Sequence, residues 1–469
     1  MAVIVIGVAS VASGDPAWPS LDKVVGRPAL AGTELLDAAG DLSISMIEGV
    51  DRFLDLEIRK TMENPGRASR QELARMLGLG RDHNPEGNGF ELAGHRWDPI
   101  GQGHNYEVRD VRWWSAGGIM AEGLLFEPKA GRPLVDVIAL PDADQDPEEL
   151  GAIEPFRKRH QTYPFAAEMA RAGCRVLVPV LINRSEYQGM SMREWLHRVS
   201  WELGRTLAGY EVHKIMAAVD CFKGQRTGSA GESISGKVLV AGWGEGGRLA
   251  LYATALDDRI DGALVSGYFG PRDRVWDEPA DRTVFGLLRA HSDAAIADLI
   301  HPRVLVIETG HFPRYGFRLD ESGSPQRWRR AATKRGKPGK LLEHSDEAVD
   351  AEVNRMRQGA AAVFRVQRAG ARASWMGLLE KTGVDLRGVD REEAELGWTA
   401  NSPLRDFSEI GARQKRMVQS IRRSNQRALV DSEAEREVFF QGVKIGNVAE
   451  SVSYTHLRAH ETVLDLVCR

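Results

Sequence analysis

The chain is poor in cysteine, in long apolar runs and in excess charge of either sign. It has three cysteines among 469 residues. None of them stands in a Cys-x-x-Cys or Cys/His ligand spacing, so we expect no bound metal and no other cofactor. No apolar run approaches the roughly 18 residues that a membrane span needs. The net charge of −4 and the pI of about 6.3 indicate no basic surface for nucleic acid. Metal, membrane and nucleic-acid partners are therefore not expected.

The N-terminal residues allow two interpretations. Residues 2–12 are apolar and small residues follow them, as in a signal peptide, but no Lys or Arg precedes them. Residues 1–19 are therefore interpreted as the remnant of a signal peptide, which would direct the protein to the periplasm or the extracellular space. The alternative is a buried N-terminal strand in a cytoplasmic protein.

The rest of the chain divides into segments of different character. Residues 20–104 carry helical patterns and predict a helical preface, whereas residues 105–313 predict one α/β domain. Residues 314–345 are polar and basic, and form either a solvated loop or a patch for an anionic ligand. Residues 346–450 carry charged helical patterns and predict a helical extension.

Within the α/β domain, strands that alternate with helices predict a mostly parallel sheet with helices on both faces. Residues 106–127 are typical of an opening hairpin, which would add antiparallel strands at one edge. Residues 191–222 predict one long helix. Buried strands are predicted at residues 133–140, 174–182, 237–241, 260–266 and 303–308.

The segment KVLVAGWGEGG, residues 237–247, is an apolar strand that runs into a glycine-rich turn and then into a small-residue helix. This is the setting of a nucleophile elbow, Gly-x-Ser-x-Gly, where glycines permit a sharp turn and close packing. Gly242 and Gly246 take the two glycine positions, and Gly244 takes the position of the nucleophile. The elbow pattern is present, but its hydroxyl group is missing.

The same glycines also match Gly-x-Gly-x-x-Gly, a pattern that cradles a pyrophosphate, through Gly242, Gly244 and Gly247. Such a fingerprint usually follows the first strand of its fold, whereas here at least three predicted strands precede it. Asp261 lies near the distance expected of a ribose-binding acid, but at the start of a strand and not at its end. A dinucleotide-binding protein therefore remains as one hypothesis.

The stretch GRTLAGYEVHKIMAAVDCF, followed by GKVLVAGWGEGGRLALYATALDDRIDGALVSGYFGPRDRVWDEP, resembles bacterial α/β-hydrolases of the acetyl-xylan-esterase and dienelactone-hydrolase-like group. The resemblance covers roughly residues 105–310 and rests on the order of the elements around the elbow. It implies an α/β-hydrolase fold. Because members with an intact elbow carry serine at the third position, the resemblance implies catalytic activity only weakly.

The oxyanion hole is compromised in the sequence. Glu245 follows the nucleophile position, so its N–H is expected to supply half of the hole. The other half would come from the loop at residues 140–144, where active relatives often carry His-Gly. Here Asp142 and Asp144 would place negative charge beside the developing oxyanion. A metal-dependent reaction through these three carboxylates has no ligand spacing to support it.

Candidates remain for the acid and the histidine of a catalytic triad. Glu308 ends a predicted strand after the elbow, as a triad acid does, and a loop carboxylate is an equal interpretation. His311 and His344 are the histidines that follow it before the C-terminal tail, and a buried or solvated histidine is the alternative for each. The candidate catalytic positions are therefore Gly244, Glu245, Glu308 and His311.

The C-terminal residues suggest a longer gene product. The predicted helix over residues 404–440 is basic and has few large apolar residues, so it has little to bury on its own. It resembles the connector between two hydrolase domains in longer relatives, where the first domain is degenerate. Residues 451–469 resemble a translated sequencing adapter, with a short genuine helix as the alternative. We expect the gene to continue past Glu450 into a catalytic hydrolase domain.

These observations favour an esterase-like α/β domain that is non-catalytic or strongly impaired. It would serve as a scaffold or as a carbohydrate-ligand domain of a larger hydrolase, with an acylated carbohydrate as its ligand. The alternative is an active carboxylic-ester hydrolase that uses unrecognised groups. Five tryptophans are either core residues or a platform for a sugar: Trp113, Trp114, Trp195, Trp201 and Trp243.

Overall fold

The computed structural model describes residues 41–63, 68–80, 89–92, 99–129, 131–153, 163–188, 190–224, 236–310, 312–313, 340–357, 363–366, 372–387, 389, 399–400 and 407–441. Residues 1–57 and 58–469 form two compact units. Helix α1, Leu42–Glu63, begins in the first unit and exposes apolar side chains such as Phe53. The segments expected to be a signal-peptide remnant and a non-native tail lie outside the described residues.

Among the described residues, the second unit contains an eleven-stranded sheet. Its strands are β1 Glu91–Leu92, β2 Gly101–Gln102, β3 Tyr106–Ser115, β4 Ile119–Pro128, β5 Asp136–Leu140, β6 Arg175–Pro179, β9 Val238–Trp243, β10 Gly262–Ser266, β11 Val304–Glu308, β12 Val363–Val366 and β13 Thr399–Ala400. A separate hairpin joins β7, Glu186–Tyr187, to β8, Met190–Ser191.

The order of the strands is that of an α/β-hydrolase sheet. It runs β12-β11-β10-β9-β5-β6-β4-β3-β2-β13, with β1 paired to β3. The six strands from β12 to β6 run parallel to one another. The pairs from β6–β4 onward are antiparallel. The opening hairpin therefore lies beside the parallel strands, as the sequence predicted.

Helices cover both faces of this sheet. They are α2 Arg70–Leu77, α3 Pro147–Leu150, α4 Phe165–Arg171, α5 Met192–Trp201, α6 Leu207–Gly224, α7 Glu245–Leu256, α8 Asp293–Asp298, α9 Asp346–Val353, α10 Arg372–Lys381 and α11 Phe407–Gln441. One apolar core includes side chains of α2, α6 and α7, and another includes side chains of α4 and α10. The α/β-hydrolase fold is confirmed by this arrangement. No helix in the described ranges is both long and apolar enough to cross a membrane.

The prediction of one helix over residues 191–222 is wrong. Helix α5 ends at Trp201 and α6 begins at Leu207, and Gly204 between them has a φ of +66°. Thr206 then starts α6, because its hydroxyl accepts a hydrogen bond from the N–H of Gly209 (3.0 Å) and donates one to the carbonyl of Leu77 (2.9 Å). The apolar spacing continued through the break, so periodicity alone did not reveal it.

The sheet extends beyond residue 313, which the sequence did not predict. Strand β12 lies in the segment read as charged helix, and it pairs in parallel with β11. Helix α10, which follows β12, buries Trp375, Leu378 and Leu379 against the sheet. Strands β1 and β2 likewise lie in the segment read as a helical preface. Such short strands carry too little pattern to be recognised, and pairing with a long neighbour stabilises them.

Helix α11 packs on the same domain, although the sequence indicated that this helix has little to bury on its own. Met417, Val418 and Ile421 are buried in a cluster with Ile119 and Val180. These three apolar residues stand at spacings of one, three and four, so they form a narrow stripe on an otherwise charged helix. The many basic residues around this stripe obscure it in the sequence.

Candidate functional site

The candidate site lies where β9 turns into α7. Gly244 stands at the tip of this turn with φ of +62° and ψ of −118°, a conformation that L side chains rarely adopt. Its N–H donates a hydrogen bond to the carbonyl of Ser266 on β10 (2.9 Å). The local geometry is therefore that of a tight strand-to-helix elbow, and Gly244 occupies the strained position.

The flanking glycines are required by close backbone packing. A Cβ atom at Gly242 would lie 2.1 Å from the carbonyl oxygen of Gly246, and one at Gly246 would lie 2.2 Å from that of Leu140. At Gly247 it would lie 2.5 Å from the carbonyl oxygen of Ser266. The three glycines let strand, turn and helix pack together, so their pattern is explained without a bound phosphate.

Asp142 fills the space that a side chain at the elbow would need. A Cβ atom at Gly244 would lie 2.5 Å from Oδ1 of Asp142 and 2.7 Å from Cγ of Pro313. The N–H of Glu245, expected to form half of an oxyanion hole, donates to the same Oδ1 atom (2.8 Å). The elbow therefore presents its N–H to a carboxylate of the protein itself.

Arg184 holds Asp142 in place. The guanidinium donates to Oδ2 of Asp142 (2.7 Å) and to Oδ1 (3.3 Å), and both side chains are buried. Burial acts to raise the pKa of Asp142, but Arg184 and the N–H of Glu245 outweigh it and hold this pKa below its usual value. Arg184 also contacts Asp144 (3.3 Å). Asp142 is thus a fixed anion, and both loop carboxylates expected beside the oxyanion position are paired with one arginine.

The side chain of Glu245 points into a cage of arginines. Its carboxylate is fully buried and accepts hydrogen bonds from Arg193 (3.0 Å), Arg248 (3.1 Å) and Arg282 (3.1 Å). Burial acts to raise the pKa of Glu245, yet the positive charges of Arg248, Arg193 and Arg282 hold it well below its usual value. A carboxylate stabilised so strongly is a poor nucleophile and a poor base. Glu245 therefore ties the elbow to α5 and to the loop that carries Arg282.

Glu308 lies at the same sheet edge as the elbow. Ser266 on β10 pairs with Trp243 on β9 and with Glu308 on β11. Gly244 follows Trp243 directly, so Gly244 and Glu308 lie at the same end of these parallel strands. The Glu308 side chain is buried, and Oε1 accepts a hydrogen bond from the hydroxyl of Ser374 on α10 (2.7 Å). A serine hydroxyl is therefore one of the partners of this buried carboxylate.

The histidines do not complete a triad among the described residues. His311 lies outside them. His344 packs edge-on against Phe312, and a Cβ atom at Gly270 would lie 2.3 Å from its ring. Burial, followed by the nearby Arg272, lowers the pKa of His344 to about 4. In α/β-hydrolases the triad histidine follows the acid in the chain. The five residues that follow β12, QRAGA, contain no histidine.

The five tryptophans lie on three elements: β3 carries Trp113 and Trp114, α5 carries Trp195 and Trp201, and β9 ends at Trp243. Trp113 is buried and its ring N–H donates to the carbonyl of Lys214 (2.9 Å), while Trp114 is 47% exposed. Trp195 packs against Tyr187. Trp201 lines a surface pocket. In the part of the chain that the structure describes, no group of three or more His, Cys, Asp or Glu side chains is arranged to hold a metal ion.

The arginines are the site residues that the sequence did not reveal. Arg184, Arg193 and Arg282 are far from the elbow in the chain, and all three are buried beside it. Arg193 stands in the apolar-spaced helix α5 with a second acidic partner, Glu211, at 3.1 Å. An arginine at a core-facing helical position was the one signal available, because a buried guanidinium requires buried acids.

The comparisons with known proteins concern the fold. No family model matches the sequence, and no curated protein matches it. An acetyl xylan esterase from Thermoanaerobacterium sp. aligns over 77% of this chain and 98% of its own, with 14% identity and a TM-score of 0.39. A glucuronoyl esterase from Solibacter usitatus aligns over 67% and 91%, with 14% identity and a TM-score of 0.36. These two neighbours are named as esterases. The strand order and the elbow give the chain the α/β-hydrolase fold.

Proposed function

We propose that this chain carries an esterase-like domain without ester-hydrolase activity, which serves as a scaffold or a carbohydrate-ligand domain of a larger hydrolase. The observation that carries the proposal is the position of Asp142. Its carboxylate accepts a hydrogen bond from the N–H of Glu245 and lies where a side chain at position 244 would stand. The elbow lacks a hydroxyl group. The N–H that would serve an oxyanion already donates its hydrogen bond to the carboxylate of Asp142.

The chemistry of acyl transfer supports this proposal. A tetrahedral intermediate needs hydrogen-bond donors aimed at its developing negative charge, and removal of one such donor costs about 10²–10³-fold in rate. Here one donor is already engaged by a carboxylate, whose charge would repel the intermediate. Ser374, which contacts the acid Glu308, is buried and so lies away from any bulky ester. The active-hydrolase alternative would need this serine or another unrecognised group.

Hydrolysis of aryl acetates tests the proposal. We expect the full chain to hydrolyse p-nitrophenyl acetate no faster than a heat-denatured sample, and we expect Gly244→Ser to be equally inactive because its Cβ meets Asp142. A double variant, Gly244→Ser with Asp142→Gly, removes the steric conflict at the elbow. It should also stay inactive, because no histidine among the described residues completes a triad. Saturable hydrolysis by the unmodified chain, abolished by a serine-directed reagent, would overturn the proposal. Loss of that activity in Ser374→Ala would then identify the nucleophile.

The dinucleotide hypothesis finds no support in this geometry. A pyrophosphate at the elbow would meet the carboxylate of Asp142 where a helix N-terminus should offer free N–H groups. The three glycines of the fingerprint are accounted for by contacts with Gly246, Leu140 and Ser266. We expect no thermal stabilisation by NAD or NADP.

A further inference from the structure

A surface pocket lies away from the elbow, between α2, the turn from α5 to α6, and the loop after Arg282. Its volume is about 360 Å³, within the range of pockets that hold small molecules. We call it the Trp201 pocket. Six of its lining residues carry the argument: Glu72, Arg75, Trp201, Arg205, Phe285 and Arg289.

Two aromatic rings form a corner in the Trp201 pocket. The rings of Trp201 and Phe285 have centroids 6.3 Å apart and planes at 79° to each other. Phe285 is 60% exposed, although it is a large apolar side chain. A flat ring can stack on one of these faces while the other ring closes its edge.

The charge of the Trp201 pocket selects for an anion. Three arginines and a single glutamate, Glu72, line it, so its walls carry a net positive charge. A guanidinium presents two parallel N–H groups that match the two oxygens of a carboxylate. Arg289 is exposed and stands four residues from Phe285, on the same loop. Positive charge therefore lies within reach of a ring stacked in the aromatic corner.

The walls of the pocket are held rigid. Thr206 donates to the carbonyl of Leu77 and so joins the turn before α6 to α2. Arg282, which binds Glu245 beside the elbow, lies three residues before Phe285 and fixes the start of that loop. A pocket already formed in the free protein loses less entropy on binding than one that must be assembled.

We propose that the Trp201 pocket binds a carboxylate carried on a six-membered ring, as in a hexuronate unit of an acidic polysaccharide. The aromatic corner takes the flat face of the ring, and the arginines take the carboxylate. This inference rests on the proposed ligand-binding role and names the class of ligand. An aromatic carboxylate has the same chemistry, and the experiment separates the two sources.

Isothermal titration calorimetry of the full chain tests this inference. The probes are a tri-galacturonate, a neutral xylotriose and 4-hydroxybenzoate. We expect saturable binding of the tri-galacturonate, weakened by added salt, and no binding of xylotriose. Phe285→Ala and Arg289→Gln should each weaken binding by about fivefold to tenfold, as expected for loss of one stacking face or one charge-assisted hydrogen bond. Tighter binding of 4-hydroxybenzoate would instead identify an aromatic acid as the ligand source.

Trp276→Ala and Arg274→Gln are the matched controls. Both side chains are exposed, at 44% for Trp276 and 64% for the side chain of Arg274, and neither lines the pocket. The controls should leave binding unchanged. No saturable binding of either carboxylate, equal binding of xylotriose, or equal losses in the control variants would overturn the inference. Ester hydrolysis measured on the same samples reports separately on the proposed lack of catalysis, so the two failures are distinguishable.

Discussion

Replacement of Glu245 by glutamine tests whether the buried arginine cage holds the elbow together. Glu245→Gln keeps the shape of the side chain but removes the charge that Arg193, Arg248 and Arg282 share. All four side chains are almost completely buried. The variant therefore leaves three guanidinium groups beside a neutral acceptor and out of reach of water.

The expected loss of stability is large. Removal of one partner from a buried ion pair costs about 3–5 kcal/mol, because the remaining charge stays desolvated. Each kcal/mol lowers the thermal midpoint of a domain of moderate size by roughly 2–4 °C, so we expect a decrease of at least about 6 °C. The control is Asp385→Asn, which breaks the pair with Arg387, where the side chains are 58% and 91% exposed. Water screens such an exposed pair, so its loss should leave the thermal midpoint almost unchanged.

We also expect the difference in stability between the unmodified chain and Glu245→Gln to depend on pH. The folded-state pKa of Glu245 lies below its unfolded value, so the unfolded chain takes up the proton first as the pH falls. The stability due to this charge is fully present above about pH 4.3 and declines progressively below it. The advantage of the unmodified chain over Glu245→Gln should therefore shrink between about pH 4.3 and pH 3. A loss no larger than that of the control, or a difference that does not change with pH, would refute the reasoning.

Three further predictions concern the elbow, the long helix and a buried histidine. Gly244→Ala should lose about 2–4 kcal/mol in chemical denaturation, because of its positive φ and the contact with Asp142. Gly377→Ala, with open space at its Cβ, should lose nothing. Arg413→Ala should expose α11 to limited proteolysis by removing its buried contact with Glu148, whereas the exposed Arg423→Ala should not; equal cleavage of both would contradict this. His344 should titrate near pH 4 by NMR, so stability should rise with pH between about 4 and 6.5; an ordinary pKa would exclude the buried placement.

The sequence was sufficient for the elements that carry a strong local pattern. The opening hairpin, the strands at β5, β6, β9, β10 and β11, and helix α7 lie where apolar runs, alternation and turn residues predicted them. The glycine at position 244 could be read directly, because the elbow motif is contiguous in the chain and needs no tertiary information.

Elements that depend on a partner could not be read in this way. Strand β12 has four residues and exists because β11 offers it a ladder of hydrogen bonds. The break between α5 and α6 is set by Thr206 and its contact with Leu77, more than a hundred residues away in sequence. The apolar stripe of α11 has meaning only beside the cluster that receives it.

The sequence by itself determined that glycine stands at the third position of the elbow and that Asp142 stands in the loop expected to face it. Only the tertiary structure decided what this loop does, since it places the Asp142 carboxylate on the N–H of Glu245 and pairs it with Arg184. It also decided that Glu245 faces Arg193, Arg248 and Arg282 and not the elbow. Buried charges are compensated by partners that are distant in the chain, and no local pattern encodes such pairs.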